Sequence, residues 1–134
     1  MKLEISSTEI KTALKQARER IESAEALLKI NNYRDAMSRA YYAFFDAASA
    51  ALLTRGLVTK THHGLIILFE KHSIKTKQVP VEVGRWLAKA KQAREEADYE
   101  REKEISKESV KVAIQSAKKF VEQIEKLTQE EINK

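Results

Sequence analysis

Apolar residues recur at steps of three and four over most of the chain, the spacing that gathers them on one side of an α-helix. The first stripe runs Ile10, Leu14, Ala17, Ile21, Ala24 and Leu28. Ser6-Ser7-Thr8-Glu9 stands before it as a capping box, so the pattern predicts an amphipathic helix of about six turns beginning at Ser6. Asn31-Asn32 ends that helix. A second is predicted from Tyr33 to Arg55, with Gly56 as its C-terminal cap, because glycine takes the left-handed conformation without the penalty a Cβ brings. This helix is small or aromatic over most of its circumference, from Ala36 through Arg39-Ala40-Tyr41-Tyr42-Ala43-Phe44-Phe45 to Leu53, and belongs at the centre of the fold. Thr61 can cap a shorter helix reaching His72, with Leu65, Leu68 and Phe69 turned inward, and Ser73 to Gln78 reads as a basic linker. Pro80 suits the first turn of a fourth helix whose apolar line is Val83, Leu87, Ala90 and Ala97. Its exposed end is the charge run from Glu95 to Glu104. Ser106 is placed to cap a fifth helix, where Val110, Ala113, Ala117, Phe120, Ile124 and Leu127 repeat in heptad fashion. Five helices with short connections, four of them long, specify an all-α fold: an up-and-down four-helix bundle with one additional short helix.

Composition agrees with that pattern. Seventeen Glu stand against three Asp, and three Gly with one Pro are too few turn residues for an all-β fold. A chain of 134 residues with 43% hydrophobic and 34% charged positions can bury one core, and a single domain over residues 1–134 is expected. No apolar run approaches the roughly 20 residues of a membrane span, and Met1-Lys2-Leu3-Glu4-Ile5-Ser6 has no signal-peptide apolar region, so a cytoplasmic location and no membrane partner are expected. With no cysteine, thiol and thiolate–metal chemistry are excluded. The net charge of +5 gathers in the middle, where residues 32–79 carry seven positive and three negative groups. That basic stretch suits either a phosphate-bearing partner or a solvated loop. His62 and His63 point about 100° apart on a helix and cannot comfortably share one ion, so no metal site and no cofactor are expected.

Candidate chemistry appears where polar side chains interrupt apolar lines. On the fourth helix the steps Leu87, Ala90 and Ala97 have Arg94 between them. A guanidinium cannot shed its proton to escape burial, so it must meet a carboxylate, a ligand phosphate or water. Asp98 lies at i+4 from it. On the second helix Arg39, Tyr42 and Asp46 share a stripe at i, i+3 and i+7, beside an apolar stripe of Tyr41, Phe45, Ala48 and Leu52. The two Arg and two Asp can satisfy one another, within one protomer or across a two-fold axis. Alternatively they line a polar cleft for nucleotide or RNA phosphate, which the planar fork of arginine matches. A leftover apolar face on the second helix favours association of copies.

The segment Arg39-Ala40-Tyr41-Tyr42-Ala43-Phe44-Phe45-Asp46-Ala47-Ala48, followed by Gly56, Thr61-His62 and Leu65 and then by Arg94-Glu95-Glu96-Ala97-Asp98-Tyr99, resembles HEPN-domain proteins, above all their small single-domain archaeal and bacterial branch. The resemblance extends over about residues 6 to 128. It implies a helical bundle that forms a homodimer, often paired with a minimal nucleotidyltransferase in a toxin–antitoxin-like system. Within such pairs these proteins act as metal-independent endoribonuclease toxins, or as substrates and partners of the nucleotidyltransferase. Catalytic members carry Arg, four to six residues, then His; here Arg94 matches the arginine, while Tyr99, Glu100 and Arg101 stand at the histidine positions. A phenol with an unperturbed pKa near 10 is a poor general base at neutral pH, so binding without cleavage is the leading expectation. Its site would be Arg39, Tyr42, Asp46, Arg94, Asp98 and Tyr99, with the arginines on phosphate, the aspartates orienting them and the tyrosines donating or stacking. Two alternatives stay open. One is an active endoribonuclease toxin using Arg94 with Tyr99 or with a histidine that folding brings near; the other is a purely structural dimerisation module.

Overall fold

The computed structural model describes residues 2–74, 81–99 and 104–133, with the side chains of residues 2–6, Ile74, Val83, Ala97, Asp98 and Ile132 outside that description. The order of elements is α1 (Lys2–Lys29), α2 (Tyr33–Leu53), α3 (His62–Phe69), a single π-helical stretch (Glu70–Ile74), α4 (Val81–Tyr99) and α5 (Lys107–Ile132), with no strand among the described residues. The fold is all-α, as the pattern of the sequence implies.

Two connections use the same device. Asn31 adopts a left-handed φ of 62° and Gly56 one of 69°. At the end of α1, Asn31 N donates to Leu28 O at 3.0 Å and Asn32 N to Leu27 O at 2.9 Å; at the end of α2, Gly56 N donates to Leu53 O at 3.0 Å and Leu57 N to Leu52 O at 3.0 Å. Both are Schellman closures, which satisfy the last carbonyls of a helix and turn the chain sharply. Asparagine is the commonest non-glycine residue to accept that backbone, which is why a two-asparagine break can serve where a glycine is missing. Thr61 and Ser106 cap α3 and α5 as expected, accepting from Gly64 N at 2.9 Å and Ser109 N at 3.1 Å.

Helix ends differ from expectation in three places. α1 begins at Lys2, not Ser6, because nothing in Lys2-Leu3-Glu4-Ile5 breaks a helix; Ser6 is therefore inside α1 and is not its cap. α2 stops at Leu53, two residues early, since the Schellman closure draws Thr54 and Arg55 into the turn. α3 stops at Phe69 and widens into the π stretch, and Ser73, expected to open a linker, is fully buried there. Residues 75–80, which include Pro80 and the rest of the expected linker, lie outside the described residues.

α2 is the central helix, packed on α1, α3, α4 and α5 alike. Its seven alanines are all buried, and such small side chains let neighbouring helices approach closely. Phe44 meets Phe120 of α5 with ring centroids 5.1 Å apart, and Phe120 meets Phe69 of α3 at 5.6 Å. α5 contributes Val110, Ala117, Phe120, Ile124 and Leu127 of its predicted line, together with Ile114 and Val121. Leu87 is the buried anchor of α4, with Trp86, Ala90 and Ala93 half-buried against the core. The expected leftover apolar face on α2 is absent: its apolar residues are buried or half-buried within the protomer, and the large apolar side chains standing exposed belong to other segments.

Candidate functional site

One face of the bundle gathers the polar groups that interrupt the apolar lines of four helices. α2 supplies three consecutive contributions: Tyr41 at 2% exposure, Tyr42 half-buried beside it, and Asp46 one turn further on. α4 lays Arg94 against both phenols, its guanidinium carbon 5.2 Å from the Tyr41 ring centre and 5.4 Å from that of Tyr42. An Arg94 amino group also donates to the Tyr42 hydroxyl at 3.4 Å. α1 brings Arg20, which lies 5.4 Å from the Tyr42 ring and donates to Asp46 Oδ2 at 3.3 Å. Both arginines fall within the range in which the negative face of an aromatic ring attracts a cation.

α3 completes the cluster. His62 is its first residue, and its ring sits 4.3 Å from Phe45, 5.4 Å from Tyr41 and 5.8 Å from Tyr42, centre to centre. The Tyr41 hydroxyl and His62 Nδ1 are 2.9 Å apart and share a hydrogen bond. A buried phenol needs such a partner for its O–H, and here the partner is an imidazole. Gly64 permits the arrangement: a Cβ on it would come within 2.7 Å of the hydroxyls of both Thr59 and Thr61, the second of which is the α3 cap.

The charges of this face act on one another. Burial pushes the Tyr41 phenol up to about 12, against the opposing pull of Arg94, so Tyr41 is a neutral hydroxyl at any physiological pH. His62 is held below the usual imidazole range, first by burial and then by the positive charges of Arg94 and Lys91. Asp46 is held above the usual carboxylate range by burial, which outweighs the attraction of Arg20. Lys91 is ion-paired with Glu95 at 2.8 Å along α4.

Of the six residues singled out from sequence, the structure brings together Tyr42, Asp46 and Arg94, and places Arg39 and Tyr99 apart from them. Arg39 is exposed and enters none of these contacts; the partner of Asp46 is Arg20, which comes from α1. Tyr99 is 86% exposed at the end of α4, away from the phenol pair. The side chain of Asp98 lies outside the described residues. Tyr41, placed in the apolar stripe from sequence, joins the polar group instead. Arg20 and His62 were not in the predicted set. Arg20 carried a signal of the same kind as Arg94, an arginine three residues from Ala17 at the edge of an apolar line; His62 carried its place beside a helix cap and within the Thr61-His62 part of the HEPN resemblance. Among the described residues no three His, Asp or Glu side chains converge in the manner of a metal site.

The HEPN domain family model matches residues 10–127. The chain is a HEPN-domain protein. It is 35% identical over 116 residues to a protein of Thermotoga maritima named UPF0332 protein, a match covering 87% of this chain and 88% of the relative. It is 35% identical over 122 residues to a Methanocaldococcus jannaschii protein named "Putative toxin", covering 91% and 90% of the two chains. A second M. jannaschii protein with that designation is 31% identical over 118 residues, covering 88% and 80%. The imidazole packed against Tyr41 and Tyr42, the two rings that also hold Arg94, comes from α3. No helix among the described residues is long and apolar enough to cross a membrane.

Proposed function

We propose that this HEPN protein binds RNA or nucleotide phosphate on the face formed by Arg20, Tyr42 and Arg94, as one half of a toxin–antitoxin-like pair with a minimal nucleotidyltransferase, and that it works as a homodimer. The observation that carries the reading is the position of Arg94: two phenol rings and the Tyr42 hydroxyl hold its guanidinium on the same face as Arg20 and His62. A planar, always-charged fork packed on the same Tyr42 ring as a second arginine suits phosphate oxygens. The basic middle of the chain adds long-range attraction for the same kind of ligand. An internally paired network of Arg39, Asp46, Arg94 and Asp98 is the less favoured account, because Asp46 pairs outside that set and Arg39 is exposed. The test is fluorescence anisotropy of a labelled single-stranded RNA against wild type and Arg94→Ala, with folding checked by circular dichroism. Arg94→Ala is expected to weaken binding by about tenfold or more, the scale of one charged hydrogen-bonding contact; unchanged affinity in a folded variant rejects the reading.

A second reading, metal-independent RNA cleavage, is favoured by one observation: folding places an imidazole, His62, against the two tyrosines that hold Arg94. Incubating RNA with the protein in excess EDTA tests it. Cleavage that disappears in His62→Ala while RNA binding persists supports a nuclease, and intact RNA supports a binding module.

A further inference from the structure

We infer that His62 is a proton-linked ligand of the same face, so that an RNA phosphate seated between it and Arg94 binds together with one proton. This deepens the phosphate-binding reading and rests on it. The geometry is specific. His62 and Arg94 are both packed against Tyr41 and Tyr42, the imidazole at 5.4 and 5.8 Å and the guanidinium at 5.2 and 5.4 Å, so two groups from different helices share one pair of phenols. The Tyr41 hydroxyl occupies Nδ1 of the imidazole, which leaves Nε2 as the nitrogen that can meet a ligand on this half-exposed side chain. A phenol both donates and accepts, so Tyr41 fits either state: it gives its proton to a neutral Nδ1 and accepts one from a charged imidazolium. Its own ionisation does not intervene, since burial keeps it protonated.

The groups around His62 decide the sign of the coupling. From α2 it faces the neutral phenols Tyr41 and Tyr42 and the ring of Phe45; from α4 it feels Arg94 and Lys91; from α1, Arg20 lies beyond Tyr42. Of the ionisable groups in the stretch after α3, Glu70 and Lys71 are exposed, and His72 lines a separate hollow with Arg55 and Glu131. His62 also begins α3, where the positive end of the helix opposes a cation. Burial, Arg94, Lys91 and the helix terminus together hold the empty site toward its neutral form, while Glu95, the partner of Lys91, acts in the opposite sense. An anion reverses the balance, because its charge offsets Arg94 and the helix terminus and gains a hydrogen bond from Nε2–H. Anion and proton therefore favour each other, and by linkage each raises the affinity of the other equally.

The experiment uses oligouridylate, whose phosphodiesters and bases do not titrate between about pH 5.5 and 8. Anisotropy across that range and calorimetry in two buffers of different ionisation heat measure affinity and proton uptake. The wild type is expected to gain about fivefold or more in affinity on acidification, with proton uptake approaching one per site, and His62→Gln is expected to lose both the slope and the uptake. Absence of proton uptake by the wild type, a readout that needs no variant, overturns the inference, as does a folded His62→Gln that retains the full pH slope. If either result comes with lost binding in Arg94→Ala, the phosphate-binding face stands and only the role of His62 falls; if Arg94→Ala binds as well as wild type, the face itself is wrong.

Discussion

At the scale of single residues, Tyr41 and His62 form a hydrogen-bonded pair in which each is the other's partner. Tyr41→Phe keeps the ring and its stacking but removes the hydroxyl, so it should destabilise the fold by about 1 kcal/mol, read from urea unfolding at neutral pH. The lowered proton affinity of His62 gives a pH dependence with a definite sign. The unfolded chain takes up the proton near pH 6.5, about the ordinary imidazole value, and the folded chain does so only at lower pH. The contribution of His62 is thus complete above about pH 6.5 and is lost as pH falls below it, since stability rises with pH wherever the unfolded state binds more protons. Asp46, shifted up, acts oppositely in the carboxylate range, where the folded chain is protonated first. Urea midpoints measured from pH 7.5 down to about pH 5.5 should fall for wild type and fall less for His62→Gln. The residues of the site were legible in the sequence only in part. Arg94, Tyr42 and Asp46 were visible because each breaks an apolar helical line. Arg39 was not separable from them, because residues at i, i+3 and i+7 spread over roughly 60° of a helix and sequence does not say which edge a neighbour covers. His62 was hidden because its partners lie on α2 and α4, and only the packing of α3 reveals them.

At the scale of elements, the caps are where local chemistry and structure agree best. Gly56, Thr61 and Ser106 do what their residue types suggest, and their satisfied backbone groups show why. The start of α1 was misread because a capping box describes how a helix can begin, not that it must begin there. Nothing lies within 4 Å of a Cβ built on Gly56, so the cost of Gly56→Ala comes from its left-handed backbone alone. Thermal or urea unfolding should show a loss of about 1 to 2 kcal/mol. Gly64→Ala fails for a different reason: its methyl must push aside the Thr59 and Thr61 hydroxyls and break the α3 cap, at about 1 kcal/mol. Because the cap precedes His62 directly, this variant should also disturb the His62 imidazole resonances in NMR spectra, which Gly56→Ala should leave in place.

At the scale of the whole molecule, α2 unites the fold and α4 is its least embedded long helix. A cavity of about 340 Å³ separates α4 from α5, lined by apolar groups that include Phe44, Trp86 and Val112. α1 and α5, in contrast, are tied to each other by Arg18 to Glu125 and Lys118 to Glu25, each at 3.0 Å, as well as by their shared contact with α2. Hydrogen exchange should therefore open α4 amides before those at the middle of α2, and equal protection would contradict that ordering. Phe120→Ala, which removes the ring joining α2, α3 and α5, should cost about 3 to 5 kcal/mol in unfolding experiments. The central place of α2 was readable from its all-round apolar character; the cavity was not, because it depends on how far two helices splay apart.

Arg20, Tyr41 with Tyr42, His62 and Arg94 come from four successive helices, each of which gives at most two side chains to the proposed phosphate-binding face. On the proposed reading no excised helix or hairpin would bind phosphate, and a ligand seated on that face would clasp the four together. A bound oligonucleotide would then act as a rivet, lifting the melting temperature in step with its concentration and slowing the departure of α4 before any other segment.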